Sequence, residues 1–252
     1  MKRCLLLAFL FLLGLRHPAG AFPLETIRQA NQDYLQGDYA KAVAGYEQAL
    51  KAGWDNGHLH YNLGNAYYQS GRLGPAVFHF LQARLRLPRD EDVAANLSTA
   101  IRRTEDLLEW ESLSPLASVL FWLEDFNFWE HLQALFWLYL GLWATLVWEL
   151  FRPGPRPRLV RRVLLGLGVV CLVSTLARWH LERGQPFGVV IPPSVEARTK
   201  DQGFSGTTFR LHEGTVVRIL EQGESWVTIE LPDGRKGWVT RDQLWISTHN
   251  PV

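Results

Sequence analysis

Cysteine is almost missing from this 252-residue chain: Cys4 and Cys171 are the only two. A disulfide framework and a cysteine-built metal site are therefore excluded for any form lacking the first residues. Also missing are a G-x-S-x-G elbow, a phosphate loop, a dinucleotide fingerprint and an H-E-x-x-H pair. The eight histidines are scattered, and His58 and His60, two apart, do not share a helical face. Glu124 and Asp125 are adjacent, so they cannot flank a substrate as an acid/base pair. No catalytic cluster is left, and a non-enzymatic role without cofactor or metal is expected. Excess charge is lacking too: 26 basic against 25 acidic residues give no net basic surface for a nucleic-acid backbone, so nucleic acid is not an expected partner.

What the chain does have is apolar length. Lys2 and Arg3 precede an apolar run from Leu5 to Leu15, followed by Ala19-Gly20-Ala21, the pattern of an export signal over residues 1–21. An uncleaved anchor helix is the alternative. Cys4 lies ahead of the apolar core, where signal cleavage could not produce a lipidated cysteine. Removal of the segment takes Lys2, Arg3 and Arg16 and no acidic residue, so the remainder is mildly acidic.

Two further apolar segments, Leu132 to Leu150 and Val163 to Trp179, define transmembrane helices over 131–151 and 163–181. The first reaches about 30 Å, the thickness of bilayer hydrocarbon; the second is slightly short, and arginine stems at its ends can extend it. Between them, residues 152–162 carry Arg152, Arg156, Arg158, Arg161 and Arg162 without one acidic residue. The positive-inside rule keeps such a loop cytoplasmic and puts both flanking regions on the opposite side. Two buried helices of a globular domain are the alternative, disfavoured by Trp129, Trp137, Trp143 and Trp148 crowding the first segment.

Residues 22–108 read as helical repeats. Gly37, Tyr39, Ala42, Tyr46 and Ala49 recur as Gly71, Leu73, Ala76, Phe80 and Ala83, an offset of 34 residues. With Leu63, Gly64, Tyr67 and Pro88 in the second copy and Ala30 in the first, this pattern resembles the tetratricopeptide repeat family. Trp54 stands where the first copy's terminal proline belongs, which leaves its exit turn open. A third unit opens on Asp90-Glu91-Asp92 and then diverges, so 91–108 is expected to be one capping helix. The resemblance implies a concave peptide-binding face, with Asn31, Tyr34, Asn62, Asn65, Tyr68, Asn96 and Arg103 as candidates. Partly packed tyrosines and merely solvated asparagines are the alternative.

Residues 109–130 carry the Ser114-Pro115 start signal and a short apolar run with Trp122, expected as an interfacial helix, with a re-entrant segment or a packed linker as the alternative. From 187 to 246, short β-like runs are punctuated by glycine, and Pro232-Asp233-Gly234-Arg235 marks a hairpin turn; about five strands in a small barrel are expected, before a tail over 247–252. Gly214, Trp226, the Asp233-Gly234 turn and Gly237-Trp238 resemble the bacterial SH3-like family, whose members bind cell-wall peptides or proteins. Phe204 is the one aromatic in the 200–206 stretch, a departure that weakens the cell-wall reading. Trp238 is expected in the core, and Trp226 either in the core or on a ligand.

The fold class expected is thus a multidomain membrane protein: an all-α repeat array, a two-helix transmembrane hairpin and an all-β SH3-like module. This order of modules resembles the BatE-type proteins of the Bacteroides aerotolerance (Bat) group. The export signal and the arginine loop place the expected protein in a bacterial inner membrane with both modules periplasmic; the resemblance implies partnership with membrane proteins bearing von Willebrand A domains and a MoxR-type ATPase, in envelope or oxidative stress. The function expected is an adaptor for exported or membrane proteins. A peptidoglycan-binding tether and a cell-wall hydrolase accessory are the alternatives.

Overall fold

The structure, a computed structural model, describes residues 24–106, 126, 128–182, 186–199 and 208–247. The expected signal segment, the Ser114-Pro115 stretch, Phe204 and the last five residues lie outside the described residues. The chain divides into two compact units at Asp55 and Asn56.

The first unit is a helix pair, α1 (Leu24–Leu35) and α2 (Tyr39–Lys51). Ala30, Ala42, Tyr46 and Ala49 form its buried seam. The close approach depends on a residue that the repeat pattern did not single out: a Cβ on Gly45 would stand 2.8 Å from that of Ala30. Gly37 makes the turn at φ +81°, and the amides of Gly37 and Asp38 bond back to Tyr34 and Asp33, closing a Schellman motif. The exit that lacks proline is closed the same way: Gly53 takes φ +90° and the Trp54 amide reaches the Ala49 carbonyl.

The second unit begins with α3 (Gly57–Gln69), α4 (Leu73–Arg86) and α5 (Glu91–Ile101). Its turn repeats the first with Gly71 at φ +79° and the Arg72 amide on the Tyr67 carbonyl. Leu63, Gly64, Tyr67, Ala76, Phe80 and Ala83 are buried, and a Cβ on Gly64 would lie 2.6 Å from the Phe80 ring. Pro88 lies just past α4, where it cannot prolong the helix. The third helix is shorter than expected. It stops at Ile101, after which Thr104 Oγ1 donates to the Ile101 carbonyl and the chain bends so that Asp106 can bond residues of the β-module.

Two long apolar helices follow, α6 (Phe128–Phe151) and α7 (Pro155–Glu182), packed against each other. Each is long and apolar enough to cross a membrane. The expected eleven-residue basic loop contracts to Arg152, Pro153 and Gly154, while Arg156, Arg158, Arg161 and Arg162 occupy the opening turns of α7. Pro155 pre-sets the first helical position and arginine is a good helix former, so the helix extends back through residues whose charge had suggested a loop.

The C-terminal module is an antiparallel sheet of seven strands rather than about five: β1 (Phe187–Val190), β2 (Ser194–Arg198), β3 (Thr208–His212), β4 (Val216–Gln222), β5 (Trp226–Glu230), β6 (Lys236–Thr240) and β7 (Leu244–Ile246), in the order β3-β2-β6-β5-β4-β1-β7. Strand β7 is three residues long, too short for alternation to reveal. A bulge between Ile219 and Glu221 shifts the register of β4 against β5. Val190, Val195, Leu211, Val217, Ile219, Val227, Ile229 and Val239 share one core.

Candidate functional site

The helical candidates fall into separate groups. In the first unit, Asn31 Oδ1 accepts the Tyr46 hydroxyl at 2.6 Å, and Tyr34 meets the edge of Tyr39 at 5.3 Å. Burial, with Tyr34 and Asp33 nearby, pushes the Tyr46 phenol up to about 12, so it stays a donor at any physiological pH. Asn31 is therefore committed in part to holding the helix pair.

In the second unit, α5 comes beside α3, and Asn96 Nδ2 donates to Asn65 Oδ1 at 2.8 Å and to the Tyr61 hydroxyl at 3.0 Å. Asn65 and Asn96 are thus brought together; Asn62 is half-buried and joins neither partner. Arg103 lies over the Tyr68 ring at 5.0 Å, with Arg103 exposed and Tyr68 half-buried. The result is a polar seam of amide and hydroxyl groups with a guanidinium at one end, suited to bonding an extended backbone.

The other side of this helical block is covered by the β-module, an arrangement that the sequence reading did not foresee. Phe78 packs on Phe187 and Trp245, with ring centroids at 6.0 and 5.5 Å, while His79 and Tyr67 also meet Trp245. Gln82 donates to Ser247 Oγ at 2.6 Å, both side chains being buried. Helix α4 has Arg72 at its N-cap and no side-chain cap of its own; Glu213 from the sheet accepts the Gly74 amide at 2.9 Å instead. Gly74 is obligatory there, since a Cβ would approach the Val190 carbonyl to 2.6 Å. The poor N-cap residue followed by Gly74-Pro75 was the sequence signal for this contact.

Asp106 completes the junction. It accepts from the His212 amide at 2.8 Å, from His212 Nδ1 at 3.0 Å and from Thr215 Oγ1 at 2.6 Å. Burial alone would raise its pKa, but the bonds from Thr215 and His212 outweigh that and hold the carboxyl below its ordinary value. Gly214, expected as a signature turn residue, has φ +88° and lies against Thr104, whose Cγ2 would be 2.5 Å from an added Cβ. Beneath the junction, the buried His60 and His79 share one Nδ1–H across 2.9 Å, and Tyr67 stacks on His79. Burial, with the positive charge of His60 and Arg86 adding to it, lowers the His79 pKa to about 3.

On the sheet, alternation places Val227, Ile229 and Val239 in the core and turns Trp226, Thr228 and Trp238 to the opposite face. Trp238 is thus partly exposed rather than a core residue, because Val239 takes the inward position. Trp226 is 41% exposed, with the exposed Arg198 guanidinium 5.8 Å from its ring centre. The hairpin has Gly234 at φ +82° and the Arg235 amide on Asp233 Oδ1, and Gly237 leaves room for the Phe209 ring. Between α6 and α7 an apolar groove of about 670 Å³ is lined by Ala134, Trp137, Leu167, Cys171 and neighbours.

Residues 34–101 match the tetratricopeptide repeat family. No curated protein matches the chain. A solved NlpC/P60 family protein from Bacillus cereus is similar over 26% of this chain at 17% identity, with a TM-score of 0.23. That similarity spans 21% of the Bacillus protein's length. Among the described residues, no group of three or more histidine, cysteine or carboxylate side chains could hold a metal ion.

Proposed function

We propose that the chain is a non-enzymatic membrane scaffold in which a two-span hairpin carries a tetratricopeptide-type helical block and an SH3-like β-module on the periplasmic side of a bacterial inner membrane. The observation that carries this reading is the direct packing of α4 on β1 and Trp245. One partner precedes both apolar helices and the other follows them, so their contact requires an even number of crossings between them. A hairpin supplies two. The exposed Trp137, Trp143 and Trp148 on α6 need an apolar cover, which hydrocarbon and headgroups provide. Helical repeats of this type generally mediate protein–protein interaction, and the Asn65–Asn96–Tyr61 seam with Arg103 is the surface assigned here to an extended segment of a membrane or exported protein. A Bat-type assembly containing von Willebrand A domain proteins is the partner set that the module order favours.

The test is affinity capture from detergent extract with the intact chain and with an Asn65→Ala, Asn96→Ala, Arg103→Ala variant. Specific partners should be lost from the variant; an unchanged set would refute the assigned face. Reporters fused after residues 108, 155 and 252 should read outside, inside, outside. A second reading rests on Trp226 and Arg198, whose exposed pairing suits stacking on a cell-wall peptide or sugar. Co-sedimentation of the purified protein with peptidoglycan, abolished by Trp226→Ala, would favour it.

A further inference from the structure

The turn between the two apolar helices carries an imbalance of charge that the described residues do not resolve. Glu149, near the end of α6, accepts from Arg161 Nη1 and lies 3.4 Å from Arg158 Nε. Both of its oxygens are thereby occupied. Arg152, Arg156 and Arg162 are exposed, and among the described residues no carboxylate pairs with any of them. Helix α7 has no acidic residue in its first turn, so the positive end of its peptide dipole adds to the guanidinium charge. The surroundings are apolar: Leu150 is 79% exposed, Phe151 77% and Leu159 62%. Three guanidinium groups without a carboxylate partner among the described residues, beside exposed hydrocarbon side chains, form an amphipathic surface suited to an anionic, amphiphilic partner.

We propose that this turn is a binding site for anionic phospholipid, with the lipid phosphate held by Arg152, Arg156 and Arg162 and the acyl chains lying along Leu150, Phe151 and Leu159. The assignment rests on the hairpin reading above. Guanidinium suits the role because its planar fork donates two parallel bonds to a phosphate and is weakly hydrated. Free phosphate offers the same oxygens but gains nothing from the apolar residues around the turn. Glu149 has a complementary part: by holding Arg158 and Arg161 back on the helix pair, it leaves the other three arginines to face the headgroups.

The experiment uses the full-length protein reconstituted into vesicles of equimolar phosphatidylglycerol and phosphatidylcholine, with one or the other lipid brominated to quench tryptophan. Wild type should show preferential quenching by brominated phosphatidylglycerol, with a local enrichment of about tenfold. Arg152→Gln, Arg156→Gln, Arg162→Gln should abolish the preference, and the corresponding triple lysine variant should keep part of it. A glutamine variant that keeps the preference, or a lysine variant that loses all of it, overturns the assignment. Replacing chloride by inorganic phosphate at equal ionic strength should leave the preference intact; selective loss would mark a free-phosphate site and overturn the lipid one. Wild type that is extracted by carbonate from pure phosphatidylcholine vesicles would refute the hairpin itself, whereas retention without lipid preference would refute the lipid site alone.

Discussion

At Gly64 and Phe80 the repeat pattern becomes a distance. A methyl group on Gly64 would meet the Phe80 ring at 2.6 Å, and Phe80 is itself 1% exposed, so the ring has nowhere to go. Gly64→Ala gains up to about 1 kcal/mol of helix propensity but incurs about 1–3 kcal/mol of overpacking. Net destabilisation of about 1 kcal/mol is expected, read as a lower unfolding midpoint of the detergent-solubilised protein. Thr228 offers the opposite case. Its Oγ1 is buried without a hydrogen-bond partner. Thr228→Val keeps the shape, removes the unsatisfied hydroxyl and suits a strand, so a gain of about 1 kcal/mol is expected in the same measurement. Gly64 was legible from spacing alone. Thr228 was not, because alternation says which way a residue points and not whether its hydroxyl finds a partner.

Among the elements, α4 is the one through which the modules hold each other. Its first turn is capped by Glu213, its middle packs on Trp245, and its last turn reaches Ser247 through Gln82. Gly74→Ala would push its N-terminus off the Val190 carbonyl. Faster amide hydrogen exchange is expected in α4 and β1, with β5 and β6 unchanged; uniform acceleration would mean global destabilisation instead. Five arginines close together suggest a loop, but arginine is a good helix former, and Pro157 falls in the first turn opened by Pro155, where its missing N–H costs no intrahelical bond. The repeat turns show how backbone can replace a missing residue: Gly53 at φ +90° closes the first repeat without proline.

For the molecule as a whole, the buried histidine pair makes the junction sensitive to acid. The His79 pKa falls from an ordinary 6.5 to about 3 on folding. The unfolded chain therefore binds a proton that the folded one refuses between these values, and stability declines as pH falls through that window, by at most about 1.4 kcal/mol per unit. Above pH 6.5 this contribution is complete and flat. His79→Phe, which keeps a ring against Tyr67 and Trp245, should flatten the acid side of a plot of unfolding midpoint against pH; an unchanged slope would show that other groups govern it.

Composition, period and apolar length by themselves determined the helical repeats, the two long apolar helices and the β-rich end, because each is a local pattern in which spacing dictates the face that must be covered. Left-handed turns at Gly37, Gly71 and Gly234 belong to the same class. Tertiary structure alone decided that the β-module lies against α4, that Asp106 and His212 meet across 106 residues of chain, and that Trp238 faces outward. Those contacts join side chains far apart in sequence, and their energy depends on shape and on partners that no window of neighbouring residues contains.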